Sequence, residues 1–241
     1  MDAILLAAGY GKRLGNITKK TPKCLVKINK RILLDIWINF LIKNKFKNII
    51  INTHWLSDKV KKFISKNKYK KYIKISHEQK LLGTAGTIKK NIKYLKNKNN
   101  IFVAHADNLA FFNFKNFLNC HLNKPNSCSM TMLAFKTTDP KNCGILKIDK
   151  NKILNEFYEK KKEYNGNLAN GAIYLLDRQI IEFISKNINK KENDFSLNVI
   201  PKLKGKIKVY KSSGYFKDIG TKKNLNDAKK YIEKLKRIKN F

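Results

Sequence analysis

Short apolar runs and amphipathic stretches take turns along this chain, an alternation that only a few architectures accommodate. Runs of strand length lie at Ala3 to Ala8, Asn48 to Thr53, Ile73 to His77, Ile101 to His105, Ser129 to Lys136, Ile145 to Ile148, Gly171 to Leu176 and Ile207 to Lys211. Between them, Ile32 to Asn44, Asp58 to Ser65, Ala85 to Tyr94, Asn113 to His121 and Thr221 to Ile238 space their apolar residues as helices do. Strands interleaved with helices predict an α/β chain with a mixed, mainly parallel central sheet covered on both faces. From Ser129 onward the strands crowd together with short turns at Asp139 to Asn142 and Asp149 to Lys152, which predicts an antiparallel addition.

The first run leads straight into a glycine loop, AILLAAGYGKRLGNITKKTPK from Ala3 to Lys23. Gly9 and Gly11 remove side chains so that backbone N–H groups can approach a ligand, while Lys12, Arg13, Lys19, Lys20 and Lys23 supply positive charge. Backbone donors in a positive field suit a polyphosphate. A tight strand-to-helix turn among solvated lysines would read similarly, so the loop needs support from the rest of the chain.

With 241 residues the chain suits one domain, read as a nucleotide-binding half at 1–128 and an acceptor half with a terminal helix at 129–241. Its 53 basic residues against 17 acidic ones give a net charge of +36, which raises nucleic acid or an anionic membrane as partners. Only Arg13, Arg31, Arg178 and Arg237 are arginines, however, and lysine is inflated everywhere together with asparagine and isoleucine. A lysine-rich surface without a recognition motif argues against nucleic acid as the functional partner. No uncharged stretch is long enough to span a bilayer and the apolar run after Asp2 is too short for a signal peptide, so a cytoplasmic protein is expected. Cys24, Cys120, Cys128 and Cys143 have no C-x-x-C spacing and read as free thiols.

Four further segments carry residues suited to chemistry. In HEQKLLGTAGT a strand ends at Glu78 and Gln79, and Gly83 and Gly86 bracket a turn into a helix, offering backbone donors and a helix dipole unless Thr84 merely caps it. In FVAHADN a buried strand ends in Asp107, where a hard cation could be held by one or two carboxylates together with substrate phosphates. EFYEKK, Glu156 to Lys161, alternates so that Glu156, Tyr158 and Lys160 share one side; NGAIYLLD follows at Asn170. In GYFKDIGT, Thr221 is the better helix cap, which leaves Asp218 for another partner, and a metal shared with Asp107 is the economical one.

Taken in order, LAAGYGKRL, TPKCLV, LLGTAGT, HADN, FYEK, NGAIY and FKDIGT resemble the nucleotidyltransferases that make nucleotide sugars from a nucleoside triphosphate and a sugar 1-phosphate. The resemblance covers nearly the whole chain and implies a three-layer α/β/α sandwich of the GT-A-like type with a Rossmann-like nucleotide half. It places Leu6, Ala8, Gly9 and Gly11 around the nucleotide, Arg13 on the β and γ phosphates and Lys23 as the catalytic lysine. Glu78, Gly83 and Thr84 fall where the family reads the base, and Asp107 and Asp218 where it holds Mg²⁺. Glu159, Lys160, Asn170 and Gly171 fall on the sugar phosphate side, with Lys160 as its anchor.

The implied reaction needs no general base, because an ionised phosphate oxygen attacks the α-phosphorus in line and pyrophosphate leaves. His54, His77 and His121 accordingly read as structural, and His105 as packing unless it orients Asp107. LLGTAGT resembles mannose-1-phosphate guanylyltransferases and favours GTP, with uridylyl-, cytidylyl- or thymidylyltransfer as alternatives and heptose 1-phosphate as another acceptor. A non-catalytic nucleotide- or nucleic-acid-binding protein is the contrasting class. The chain departs from the family pattern at Lys12, at Lys161 and at His105-Ala106, where glycine is frequent before the aspartate, so Ala106 is expected to narrow the approach to the ribose. No left-handed β-helix domain or second activity is expected, and homo-oligomerisation is left open.

Overall fold

The computed structural model describes residues 1–159 and 166–239. In chain order it contains β1 (Asp2–Leu6), α1 (Asn16–Lys20), β2 (Lys27–Ile28), β3 (Arg31–Ile32), α2 (Leu33–Lys43), β4 (Asn48–Thr53), α3 (Ser57–Ser65) and β5 (Ile73–His77). Then follow α4 (Thr84–Asn91), β6 (Ile101–His105), β7 (Asn108–Ala110), α5 (Phe114–Leu122), β8 (Met130–Lys136), β9 (Gly144–Ile148), β10 (Leu154–Glu159) and β11 (Leu168–Leu176). The last elements are α6 (Arg178–Asn187), β12 (Ile207–Lys211), β13 (Phe216–Asp218) and α7 (Lys222–Lys239). This is the α/β class with a mixed central sheet. No helix among the described residues is long and apolar enough to cross a membrane.

Two compact units share the chain. Met1–Ile4, Leu82–Ala104 and Phe112–Gly214 form the first; Leu5–Leu81, His105–Phe111 and the residues from Tyr215 onward form the second. In the first unit the strand order is β10-β9-β11-β6-β1, with β8 joined to β11 and β12 to β8. The β10–β9, β11–β6 and β11–β8 ladders are antiparallel and β12–β8 is parallel, so the expected antiparallel addition after Ser129 is present. Tyr174, Phe195, Phe102 and Phe117 are its largest fully buried side chains, and Tyr174 lies against Phe195 with ring centroids 4.7 Å apart. His121 is fully buried on α5, its ring nitrogens within 2.9 Å of Thr131 Oγ1 and 3.0 Å of Asp177 Oδ1. Asp177 also pairs with Lys124 at 2.8 Å, so His121 is structural, as expected from sequence.

In the second unit β4 and β5 run parallel, from Ile49 opposite Ile73 to Thr53 opposite His77. Ile49, Ile50 and Ile51 are fully buried, which is why that stretch reads as a continuous apolar run. A core of Leu14, Val26, Ile28, Leu33, Leu109, Ile219, Leu225, Ala228 and Ile232 gathers the turn after the glycine loop, α2 and the terminal helix α7. Thr221 caps α7 as expected, its Oγ1 accepting from Asn224 N at 3.1 Å. The three-residue strands β7 and β13 pair antiparallel, Phe216 opposite Ala110 and Asp218 opposite Asn108. Trp37, buried on α2, pins that ladder by donating from Nε1 to Asn108 O at 2.8 Å. Asp218 is therefore a strand residue; its approach to a helix in sequence concealed this.

Candidate active site

Loop geometry follows directly from its glycines. After Leu6 at the end of β1, Ala7 N donates to Asn52 Oδ1 at 2.6 Å and Ala8 is buried, while a Cβ built on Gly9 would meet no atom within 4 Å. Gly11 has φ of +68°, and a Cβ there would come within 2.8 Å of Thr18 Cγ2 and 3.2 Å of Lys23 Cβ. No side chain fits this position without moving the residues that anchor the loop. A 3₁₀ turn at Lys12–Leu14 then exposes Arg13 while burying Leu14.

Lys23 opens a second 3₁₀ turn directly after Pro22, where the ring restricts the backbone, and its side chain is only 9% exposed. Its Nζ lies 2.5 Å from Asp107 Oδ2 and 3.0 Å from Asp218 Oδ1. Arg13 Nη2 is 3.3 Å from Asp218 Oδ2, so two cations and two carboxylates form one neutral quartet. The β7–β13 ladder brings the carboxylates together, extended by Ile219 N donating to Asp107 O at 3.0 Å. Burial opposes the charge on Lys23, but Asp107 and Asp218 outweigh it and hold the ammonium above the ordinary lysine range. Burial likewise opposes ionisation of Asp107, and Lys23 followed by His105 reverses the effect, keeping this carboxyl below its usual range. The neighbouring Cys24 thiol is pushed up to about 12 by burial and by Asp107, so it is inert at neutral pH.

Two carboxylates converging on one cation, with no third acidic or imidazole ligand grouped with them among the described residues, form the donor set of Mg²⁺ sites completed by substrate phosphate. Asp107 and Asp218 therefore fit the metal role expected of them. Ala106 does not behave as expected: it is fully buried and donates to Leu6 O at 3.0 Å, so its methyl fills the interior and leaves the surface beside Asp107 unchanged.

Gly220 was not singled out by sequence, although it stands in the same FKDIGT segment. A Cβ on it would lie 2.6 Å from Asp218 Oδ2 and 2.7 Å from Arg13 Nη2. Gly220→Ala should therefore separate Arg13 from Asp218 and lower kcat/KM about tenfold, a loss of about 1.4 kcal/mol, with an unchanged fold by circular dichroism. Full activity in this variant would show that the ion pair is dispensable.

Glu78 is 1% exposed, and its carboxylate Oε1 accepts from Asn52 Nδ2 at 2.9 Å. Sequence missed Asn52, because a buried asparagine at the end of an apolar run carries no mark of its partner. Gly83 and Thr84 lie in the first unit, where the amides of the two residues that follow them are committed internally. Ala85 N and Gly86 N both donate to Asn193 O, at 2.8 and 3.3 Å, and Thr84 Oγ1 accepts from Phe195 N at 2.6 Å. A distant segment thus accepts from two amides of this helix terminus.

On the expected sugar phosphate side, Glu159 ends β10 opposite Gly144. Asn170 Nδ2 donates to Tyr174 OH at 2.8 Å and its Oδ1 accepts from Ala172 N at 2.8 Å, which builds the irregularity where β11 shifts register against β8. Gly171 is buried inside that bulge, Ala172 beside it has φ of 50°, and Lys160 lies outside the described residues.

The family model described as nucleotidyl transferase matches residues 2–235. A D-glycero-alpha-D-manno-heptose 1-phosphate guanylyltransferase of Campylobacter jejuni is 30% identical over 221 residues, 91% of this chain and 95% of the relative. A mannose-1-phosphate guanyltransferase 2 of Candida glabrata is 29% identical over 98% of this chain, and a glucose-1-phosphate adenylyltransferase of Clostridium acetobutylicum 26% identical over 94%. The chain spans 66% and 65% of the length of these two relatives. Among solved structures, HddC from Yersinia pseudotuberculosis complexed with GMP-PN superposes with a TM-score of 0.80 over 96% of this chain and 99% of that one, at 24% identity. That likeness shows the same fold.

Proposed function

The chain belongs to the nucleotidyl transferase family, and from that premise we propose that it transfers a nucleoside monophosphate from GTP to a sugar 1-phosphate. The observation that carries this reading is the quartet of Arg13, Lys23, Asp107 and Asp218 beside the glycine loop. A phosphate oxygen of the acceptor forms a bond to the α-phosphorus of the triphosphate, the bridge to the β-phosphate breaks, and pyrophosphate takes the electron pair. No proton moves, so the chain's work is alignment and charge neutralisation.

In this reading the exposed Arg13 meets the departing β and γ phosphates, and Lys23, held almost out of water, neutralises charge at the reacting phosphorus. The amides around Gly9 bind the phosphate chain, there being no side chain near Gly9 to obstruct it. Asp107 and Asp218 would hold Mg²⁺, which supplies positive charge to the phosphates when bound. Glu78, proposed to read the base, has a carboxylate that accepts but does not donate, which suits the N–H groups that every base presents. Preference for guanine is drawn from the likeness to the two guanylyl-transferring relatives. On the acceptor side Glu159, Lys160 and Gly171 keep their proposed roles, whereas Asn170 contributes through the bulge it stabilises.

Pyrophosphate release measured with ATP, GTP, CTP, UTP and dTTP against mannose, heptose, glucose and N-acetylglucosamine 1-phosphates tests the proposal. GTP with a manno-configured sugar phosphate should give the highest kcat/KM, and EDTA should abolish it. Absence of turnover with every pair in Mg²⁺ would sink the enzyme reading, and a different preferred base would overturn the assignment to GTP.

A further inference from the structure

Asn52 on β4 and His54, one residue past its end, each touch both the glycine loop and Glu78. Asn52 is 3% exposed; its Oδ1 accepts from Ala7 N at 2.6 Å and its Nδ2 donates to Glu78 Oε1 at 2.9 Å. Two residues on, His54 Nδ1 lies 2.8 Å from Glu78 O and its Nε2 lies 3.0 Å from Tyr10 OH. A carbonyl oxygen only accepts, so Nδ1 carries the proton and donates; in the neutral ring Nε2 then accepts from the Tyr10 hydroxyl. Tyr10 stands between Gly9 and Gly11, its ring edge-on to His54 at 5.3 Å and against Trp55 at 5.6 Å.

Burying an amide and a carboxylate costs stability unless each finds a partner, and a strand needing only to pack would use apolar residues here. This placement turns that polar face into a link. One route joins the Glu78 carboxylate to the start of the loop, and the other joins the Glu78 carbonyl to its tip. We propose that Asn52 and His54 are positioning residues that couple the residue reading the base to the loop holding the phosphates, so that the correct base sets the loop for transfer. The proposal rests on the base-reading role given to Glu78 under the proposed function. A nucleotide whose base does not engage Glu78 then binds with its phosphates poorly placed, and discrimination appears in kcat as well as in KM.

The test compares wild type with Asn52→Ala, which removes one partner from both Ala7 N and Glu78, and with Tyr10→Phe, which deletes only the hydroxyl that reaches His54. Among the four ribonucleoside triphosphates, the ratio of kcat/KM for the preferred one over the other three should fall about tenfold in each variant, the equivalent of about 1.4 kcal/mol. A merely structural role would lower all four nucleotides by one common factor, and that outcome, like an unchanged ratio, overturns the coupling. Binding is read independently by tryptophan fluorescence, since Trp55 is 38% exposed beside Tyr10 while Trp37 is buried. If wild type turns over no substrate pair but still binds the four triphosphates with different affinities, the transfer reading fails alone; the coupling then stands if those differences shrink in both variants. Equal affinities in wild type, or no nucleotide binding at all, overturn it.

Discussion

Lys23→Ala is expected to lower kcat for pyrophosphate release by about 10²- to 10³-fold, the usual loss when one preorganised group is removed from charge that develops in a transition state. Two features make this lysine more than a solvated cation. Its side chain is 9% exposed, so its charge acts through little water, and it stands 2.5 and 3.0 Å from the two carboxylates proposed to hold the metal. The same substitution leaves Asp107 and Asp218 facing one another without their shared cation. Both carboxylates are partly exposed, at 30% and 39%, which limits the penalty to about 1–2 kcal/mol and the fall in Tm to a few degrees. Mg²⁺ should restore much of that Tm while leaving kcat low. A variant with wild-type kcat would remove Lys23 from the chemistry, and a Tm that Mg²⁺ does not raise would count against the carboxylate pair as its site.

Asp107→Asn is expected to raise the Mg²⁺ concentration for half-maximal activity by about 10- to 100-fold and to reduce kcat at saturating metal by about 10²-fold. Asp107 should matter more than Asp218, which is more exposed and shares its charge with Arg13. Titrating activity with Mg²⁺ in both asparagine variants measures the difference. An unchanged metal requirement in Asp107→Asn would overturn the assignment of that carboxylate, whatever its effect on rate. Charge loss and lost shape are separable here, since asparagine preserves the volume of the side chain and the neighbouring Ile219 N bond to the Asp107 carbonyl.

Much of the architecture was legible from residue order. Asn48–Thr53, Ile73–His77, Ile101–His105 and Ile207–Lys211 are strands at the limits their apolar and β-branched runs predict. The helices over Leu33–Lys43 and Ser57–Ser65 lie within a residue of their predicted bounds, because an apolar stripe at a spacing of three to four is hard to mistake. Helix α6 was missed, although Ile180, Ile181 and Ile184 sit at helical spacing and are buried. Strands β7 and β13 are three residues each, too short to show any period. Asn193 gave no signal at all, since what it contributes to the start of α4 is a backbone carbonyl that every residue possesses.

The sequence by itself determined the α/β alternation, the glycine loop after the first strand and the identities of the charged residues beside it, because these depend on local periodicity and on side-chain chemistry. Residue types and the family resemblance already paired Asp107 with Asp218, but tertiary structure alone decided that Lys23 bonds to both, through a ladder of β7 and β13 that closes over more than a hundred residues and that short-range patterns cannot register. It also decided that Asn193 occupies the terminus of α4, and that Asn52 and His54 tie Glu78 to the loop. In each case the deciding fact is where a buried polar group finds its partner, and that partner lies far away along the chain.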